Sequence, residues 1–172
     1  HPSYIVLLSD GKPTRGVRNS RELIAYINAL NNGERAIFCY SGGWEVNRYL
    51  LDFIAYGNRG WAEHADKGRQ IARGLTSFYD KISDPLLVNL RYRFSNVSAE
   101  NVYPKTLPDF FKHAAFTVYG TFSREDAFSM QLLGDMAEGT HEFILSDSFQ
   151  AARTGERDIA RMWAFNKVYY LI

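Results

Sequence analysis

The chain reads as an α/β protein: a partial doubly wound parallel sheet, followed by a small antiparallel β region and a carboxy-terminal helix. Three observations predict this. Residues 1–83 alternate short, nearly uninterrupted apolar runs with segments of helical period, the pattern of strands joined by crossover helices. From residue 84 the period shortens towards two, as in half-buried antiparallel strands. Residues 156–172 return to a helical period. The natural division is therefore 1–83 and 84–172.

Each element follows from its residues. Tyr4-Ile5-Val6-Leu7-Leu8 is apolar throughout, as expected of a parallel strand covered on both faces. Its hydrophobicity suits the centre of a sheet. Ser9-Asp10-Gly11-Lys12-Pro13-Thr14 breaks the strand with turn formers. A helix begins near Asn19, whose side chain can cap free amides, with Glu22 at the third helical position. Leu23, Ile24, Ile27 and Leu30 give it one apolar face, and Asn31-Asn32-Gly33 ends it.

The run from Arg35 to Tyr40 is a second buried strand, closed by Ser41-Gly42-Gly43. Val46, Leu50, Phe53 and Ile54 face inward from a second helix, which Gly57 and Gly60 terminate. A short strand over 61–65 and a helix from about Lys67 to Ile82 complete the series, with Asp84-Pro85 as a stop. Right-handed crossovers give a parallel sheet with helices outside.

In the second half, Val88, Leu90, Tyr92 and Phe94 alternate with Asn89, Arg91 and Arg93. Residues 114–120, 128–133 and 140–145 supply further strands, Gly134 and Gly139 bracketing the last connection. Pro104, Pro108, Tyr103, Phe110 and Phe111 mark a stiff link. The terminal helix carries Ile159, Trp163 and Tyr170 on one stripe, with Ala160, Ala164, Val168 and Leu171 beside it. A stripe that wide is expected to pack on protein.

The chain's 172 residues include 20 basic and 19 acidic side chains, for a net charge of +1. Neither balance nor clustering gives the concentrated positive surface of a nucleic-acid binder. No charge-free apolar stretch reaches the length of a transmembrane segment. At 46% apolar and 23% charged, the composition is that of a globular protein able to bury about two-thirds of its unfolded surface. The single cysteine, Cys39, lies between Phe38 and Tyr40, which excludes an intramolecular disulfide and suits a small buried hydrophobe. The opening HPSYIVLLSDG, with no methionine and no lead-in, reads as a piece of a longer protein.

Asp10 is the foremost candidate for a metal or ligand contact. It follows an apolar parallel strand, where open sheets place their ligand crevices. Its carboxylate can bind a divalent cation directly or through water, yet hard cations need several oxygens, and a turn-forming role competes. Ser9 and Thr14 offer hydroxyls nearby. Gly42 and Gly43 lack the spacing and lysine of a phosphate loop, and Asp66 is expected to cap a helix. His64 sits between Glu63 and Asp66, but alternation turns adjacent strand side chains to opposite faces. His1 and His113 lie in a terminus and a link, and His141 beside Glu142 meets the same alternation. Neither a zinc-hydrolase histidine pair nor a nucleophile elbow is present, so no enzymatic function is expected. Asn96-Val97-Ser98 satisfies the N-glycosylation pattern. Trp44, Trp61 and Trp163 are expected to pack rather than to serve as ligand platforms, a question that an exposed Trp44 beside the glycine pair would reopen.

Taken in order, several segments resemble the carboxy-terminal portion of a von Willebrand factor A domain protein of the inter-alpha-trypsin-inhibitor heavy-chain-like type. They are YIVLLSDGKPT (4–14), RAIFCYSGG (35–43), VNRYLLDFIAYGNRGW (46–61), SFYDKISDPLLVNLRYRF (77–94), NVYPKTLPDFF (101–111), FSMQLLG (128–134) and ARMWAFNKVYYLI (160–172). The resemblance implies a doubly wound sheet beneath a metal-ion-dependent adhesion site, with Asp10 as the aspartate after the fourth strand. The DxSxS loop, a later threonine and three strands would precede residue 1, and Thr14 is not that threonine.

The same resemblance implies Mg²⁺ or a similar divalent cation in the intact parent, at a site incomplete here, and non-enzymatic binding of a protein or other extracellular ligand, as in cell adhesion. It also implies a secreted or cell-surface location, and an open sheet flank filled by an amino-terminal fragment or by a second copy of the chain. The alternative is a metal-independent structural or protein-interaction module.

Overall fold

The computed structural model describes residues 3–122, 127–151, 155 and 158–172. The elements, in order, are β1 (Tyr4–Leu8), α1 (Ser20–Asn31), β2 (Ala36–Gly42), α2 (Arg48–Gly57), β3 (Ala62–Ala65), α3 (Ile71–Ile82), β4 (Pro85–Ser95), β5 (Phe110–Phe111), β6 (Ala127–Met136), β7 (Gly139–Ser148) and α4 (Asp158–Leu171). They form two compact units, His1–Leu86 with Pro108–Ala115, and Leu87–Leu107 with Phe116–Ile172.

The first unit is a parallel sheet in the order β1-β2-β3. Its organising strand is β2, in which every residue from Ala36 to Ser41 is buried. Alternation divides those side chains between two cores. Ala36, Phe38 and Tyr40 pack with Phe78 and Ile82 of α3 and with Phe111. Ile37 and Cys39 pack with Leu50, Leu51, Ile54 and Ala55 of α2, with Leu23, Ile24 and Ile27 of α1 partly buried against them. Phe38, Phe111, Trp61 and Tyr4 meet edge to face at centroid separations of 4.6–6.1 Å, an arrangement aromatic quadrupoles favour. The stiff link between Pro104 and Phe111 thus returns an aromatic side chain to the first unit's core.

One buried polar residue is fully engaged. The Asn58 side-chain amide donates to Asn28 Oδ1 and to the Ile54 carbonyl, both at 2.7 Å, and its Oδ1 accepts from Asn31 at 2.6 Å. Its own carbonyl accepts from the Ile37 amide at 3.0 Å. These bonds tie both helices of one layer to β2, and satisfaction of this kind is what permits a polar group inside. Asn19 caps α1 as expected, accepting from the Arg21 and Glu22 amides.

β1 departs from its expected place. Among the described residues it pairs with β2 alone and stands at the sheet edge. Tyr4 and Leu7 contribute to the two cores, whereas Ile5, Val6 and Leu8 are exposed, Leu8 by 58%. An uninterrupted apolar run records a tendency to be covered on both faces, and within this chain only part of that cover is supplied.

In the second unit, β4, β6 and β7 form an antiparallel meander. Alternation on β4 is interrupted. The register slips between Val88 and Arg91, and Asn89 sits at φ +54°, so Leu87 and Leu90 turn inward where Val88 and Leu90 were expected. An extra residue in one strand does this. Gly134 lies inside β6 rather than in the turn; a Cβ there would stand 2.8 Å from the Leu90 side chain and 3.1 Å from Leu87. The strand expected over 114–120 reduces to one antiparallel bridge, Tyr103 with Tyr119, because among the described residues no second strand ladders against it. α4 has no buried residue. Trp163 donates from Nε1 to the Asn101 carbonyl at 2.8 Å, and Tyr103 touches both Trp163 and Tyr170. Ile159, Val168 and Leu171 stay exposed, contrary to the packed stripe expected. Residues 156 and 157 of that expected helix lie outside the described residues.

Gly60, where the chain enters β3, gives the packing its sharpest test. A Cβ there would lie 2.0 Å from the Ile37 carbonyl oxygen of β2, and backbone cannot yield as a flexible side chain does. Gly60→Ala is expected to destabilise the chain by about 1–3 kcal/mol. The measurement is the urea midpoint at unchanged m; an unchanged midpoint would contradict this packing.

Candidate functional site

The carboxyl ends of β1, β2 and β3 carry loops cross-tied to one another. The backbone carbonyl of Asp10 accepts from the Asn47 amide at 2.8 Å, the Lys12 ammonium meets Glu45 at 2.8 Å, and the Gly43 amide donates to the Ala65 carbonyl at 3.0 Å. Arg48 pairs with Asp66. Asn47 caps α2 by accepting from the Leu50 amide and donates to Ser20 Oγ. Backbone bonds rather than the exposed ion pairs supply the rigidity, since exposed pairs contribute little in water.

Within this frame Asp10 is exposed, and its Oδ1 accepts the Lys12 amide at 3.0 Å while Ser9 Oγ accepts the Gly11 amide. Both side chains therefore shape the turn. The neighbouring carboxylates already have partners: Glu45 is held below its usual pKa by the hydrogen bond from Lys12 and its charge, and Asp66 faces Arg48. Among the described residues, no three His, Cys, Asp or Glu side chains converge as metal ligands. A hard cation demands more oxygens than Asp10 provides, so these residues by themselves do not fit the implied ion. Asp66 also departs from its expected role. The 3₁₀ turn after β3 begins at Gly68 with no side-chain cap, and Asp66 serves as an ion-pair partner.

Trp44 is the feature that composition and periodicity did not reveal. It follows Gly43, whose φ is +115°, and is 90% exposed. A large indole left in water at the end of a buried strand contributes nothing to the core. Trp61 and Trp163, in contrast, take part in packing as expected.

Beneath the loops lies a polar chain that sequence reasoning also missed. Ser41 Oγ is 2.5 Å from His64 Nδ1, and His64 Nε2 is 2.7 Å from Asp52 Oδ1. Alternation explains the assembly. Glu63 turns towards α3, where Lys81 meets it at 2.7 Å, and His64 turns towards α2. Ser41 and His64 are register partners across β2 and β3, a pairing that only the strand register discloses. The residue types match a hydrolase triad, but the geometry does not: Ser41 is 3% exposed, and an attacking hydroxyl must reach its substrate. A carboxylate can only accept, so His64 Nε2 donates to Asp52. The chain of contacts ties α2 to the sheet. Cys39, on the same face, is fully buried; burial first, then the Asp52 charge, pushes its thiol up to about 12, as befits an inert packing residue. Asn96 lies on an exposed turn, its side-chain amide donating to the Ala127 carbonyl at 2.9 Å.

No family model matches the chain. It is 24% identical over 180 residues to inter-alpha-trypsin inhibitor heavy chain H4 of Bos taurus, an alignment covering 99% of this chain and 20% of that protein. Inter alpha-trypsin inhibitor, heavy chain 4, of Mus musculus is 30% identical over 118 residues, covering 69% and 12% respectively. The chain thus spans about a fifth or less of the curated relatives it matches. A solved structure, von Willebrand factor type A from Catenulispora acidiphila, superposes with a TM-score of 0.54 at 14% identity, covering 84% of this chain and 40% of that one. The fold is of the von Willebrand factor A type.

Removal of the imidazole tests the buried tie. His64→Ala strands Ser41 and Asp52 without their shared partner and is expected to cost about 1–3 kcal/mol of stability, read from urea unfolding. A neutral outcome would show that these groups are solvated instead.

Proposed function

We propose that this chain is a metal-independent protein-interaction module of a larger protein, and that it engages its partner with the loops at the carboxyl end of the parallel sheet. One observation carries the reading: Trp44 is 90% exposed on a loop whose two flanks are fixed by backbone bonds to Ala65 and Asp10. Tryptophan is the residue type most enriched among binding hot spots, and a pre-positioned anchor loses little freedom on docking. The loops at this end of the sheet also carry the Lys12–Glu45 and Arg48–Asp66 pairs, both signs of charge, as suits a protein surface rather than a polyanion. The binding role of von Willebrand factor A folds supports the proposal, as does similarity to relatives named as heavy chains of an inhibitor.

Membership of the inter-alpha-trypsin-inhibitor heavy-chain-like group, and a secreted or cell-surface location, belong to the same proposal. Among the described residues no helix is long and apolar enough to cross a membrane. The open flank of β1 is read as the seat of a strand from outside these 172 residues, since an unpaired apolar edge invites pairing.

A second reading is favoured by the place of Asp10 just beyond a parallel strand. In it, Asp10 is one oxygen ligand of a Mg²⁺-type ion that the intact parent completes with residues from elsewhere, and the ion meets an acidic group of the partner.

Capture from extracellular fluid separates the two. The immobilised chain, Trp44→Ala and Asp10→Ala are compared in EDTA and in millimolar Mg²⁺, with folding checked by circular dichroism. The expected result is a protein retained by the wild type in EDTA and weakened at least tenfold by Trp44→Ala, the order of a hot-spot truncation. Retention that needs Mg²⁺ and is lost with Asp10→Ala would replace this reading with the cation-dependent one. Retention indifferent to Trp44 would refute the proposed face.

A further inference from the structure

We propose that β7 is a self-association surface, on which two copies of the chain pair antiparallel about a twofold axis at Ile144. β7 closes the meander at one end of its sheet, and it pairs with β6 in an unbroken register from Gly139 to Ser148. Its outer edge has no strand beside it among the described residues. Over ten extended residues there is neither a proline nor a register slip, two of the devices that keep an edge from pairing, and the strand's two carboxylates, Glu142 and Asp147, leave the stretch from Phe143 to Leu145 uncharged. Phe143, Ile144 and Leu145 are all exposed, Ile144 by 69%, so apolar groups on both faces of this strand are wet.

The occupant is identified by what the strand offers to itself. His141 and Asp147 stand three residues either side of Ile144. In an antiparallel pair centred on Ile144, His141 of each copy faces Asp147 of the other, Phe143 faces Leu145, and Glu142 faces Ser146. Because residues two apart share a face, one side of the joined ribbon reads His, Phe, Leu, Asp against Asp, Leu, Phe, His. An imidazole N–H donating to a carboxylate and an aromatic–aliphatic pair directly across a ladder are stabilising combinations. Centring the pair on Glu142 instead would set two carboxylates against each other. Residues 140–148 all find partners in the Ile144 register, so nearly the whole strand is used. The surface is isologous, as a closed dimer requires. It belongs to the second unit, while Trp44 belongs to the first, so it stands or falls independently of the proposed partner face.

The test uses the full chain in sedimentation velocity from 1 to 200 µM (a range of about the weak-to-moderate dimer affinities). A reversible monomer–dimer equilibrium is expected, with Ile144→Lys weakening it at least tenfold while circular dichroism and the urea midpoint hold. His141→Asp, which faces Asp147 with a like charge, is expected to weaken it as well.

Cross-linking reads the register. Facing residues in an antiparallel pair have Cα atoms about 4.5–5.5 Å apart, within disulfide reach. Ile144→Cys should therefore oxidise to a covalent dimer. Glu142→Cys should not, because its copies lie about 13 Å apart along the ribbon. The buried Cys39 does not compete. A chain that stays monomeric at 200 µM overturns the proposal. So does a dimer that Ile144→Lys leaves intact and Ile144→Cys does not trap, as pairing through β1 would give.

Discussion

The two-sided burial of β2 is the constraint on which the first unit depends. A strand covered on both faces must send alternate side chains into different environments, and here Phe38 and Tyr40 enter one core while Ile37 and Cys39 enter the other. Neither helical layer has an apolar counterpart without it. Shifting β2 by one residue would exchange the two sets, placing the Phe38 and Tyr40 rings among the α2 side chains and Ile37 and Cys39 against Phe78. Asn58 reinforces the choice from the helical side, since its side chain and carbonyl engage α1, α2 and β2 together.

What the strand holds at its carboxyl end follows from the same alternation. Ser41 continues the Ile37 and Cys39 series and so faces α2, where His64 and Asp52 complete a buried polar line. Tyr40 continues the other series and donates its hydroxyl to the Ile71 carbonyl at 2.8 Å. Beyond Gly42 the chain has left both cores, and Trp44 is free to face solvent. The proposed binding loop is therefore a consequence of where burial stops. The charged residues of the loops at this end of the sheet are mutually paired at the surface, which leaves Asp10 as a turn-former without companions for a hard cation among the described residues.

Much of this architecture is legible in the residues. Periodicity locates α1, α2 and α3 and the runs of β1 and β2, because burial on one stripe or on both faces writes itself directly into apolar spacing. Alternation also foretells that Glu63 and His64 part company. Features set by a neighbour rather than by the local chain are not legible. The bulge at Asn89 redirects Leu87 through a backbone irregularity that no hydrophobic pattern records. Phe111 joins the first core across a long interval of sequence. The Ser41–His64 contact depends on a strand register, and Trp44 was expected to pack because large apolar side chains usually do. β1 and α4 err in the same direction, for apolar spacing states a demand for cover and does not say whether the chain at hand meets it.

Native-state hydrogen exchange, resolved by residue, tests the organising role of β2 most directly, because amides that open only on global unfolding mark the element everything else rests on. The Ile37 and Cys39 amides, bonded to the Asn58 and Trp61 carbonyls, should exchange with the free energy of global unfolding. Those of the edge strand β1 should exchange by smaller, local openings. Equal or greater protection in β1 than in β2 would contradict the account.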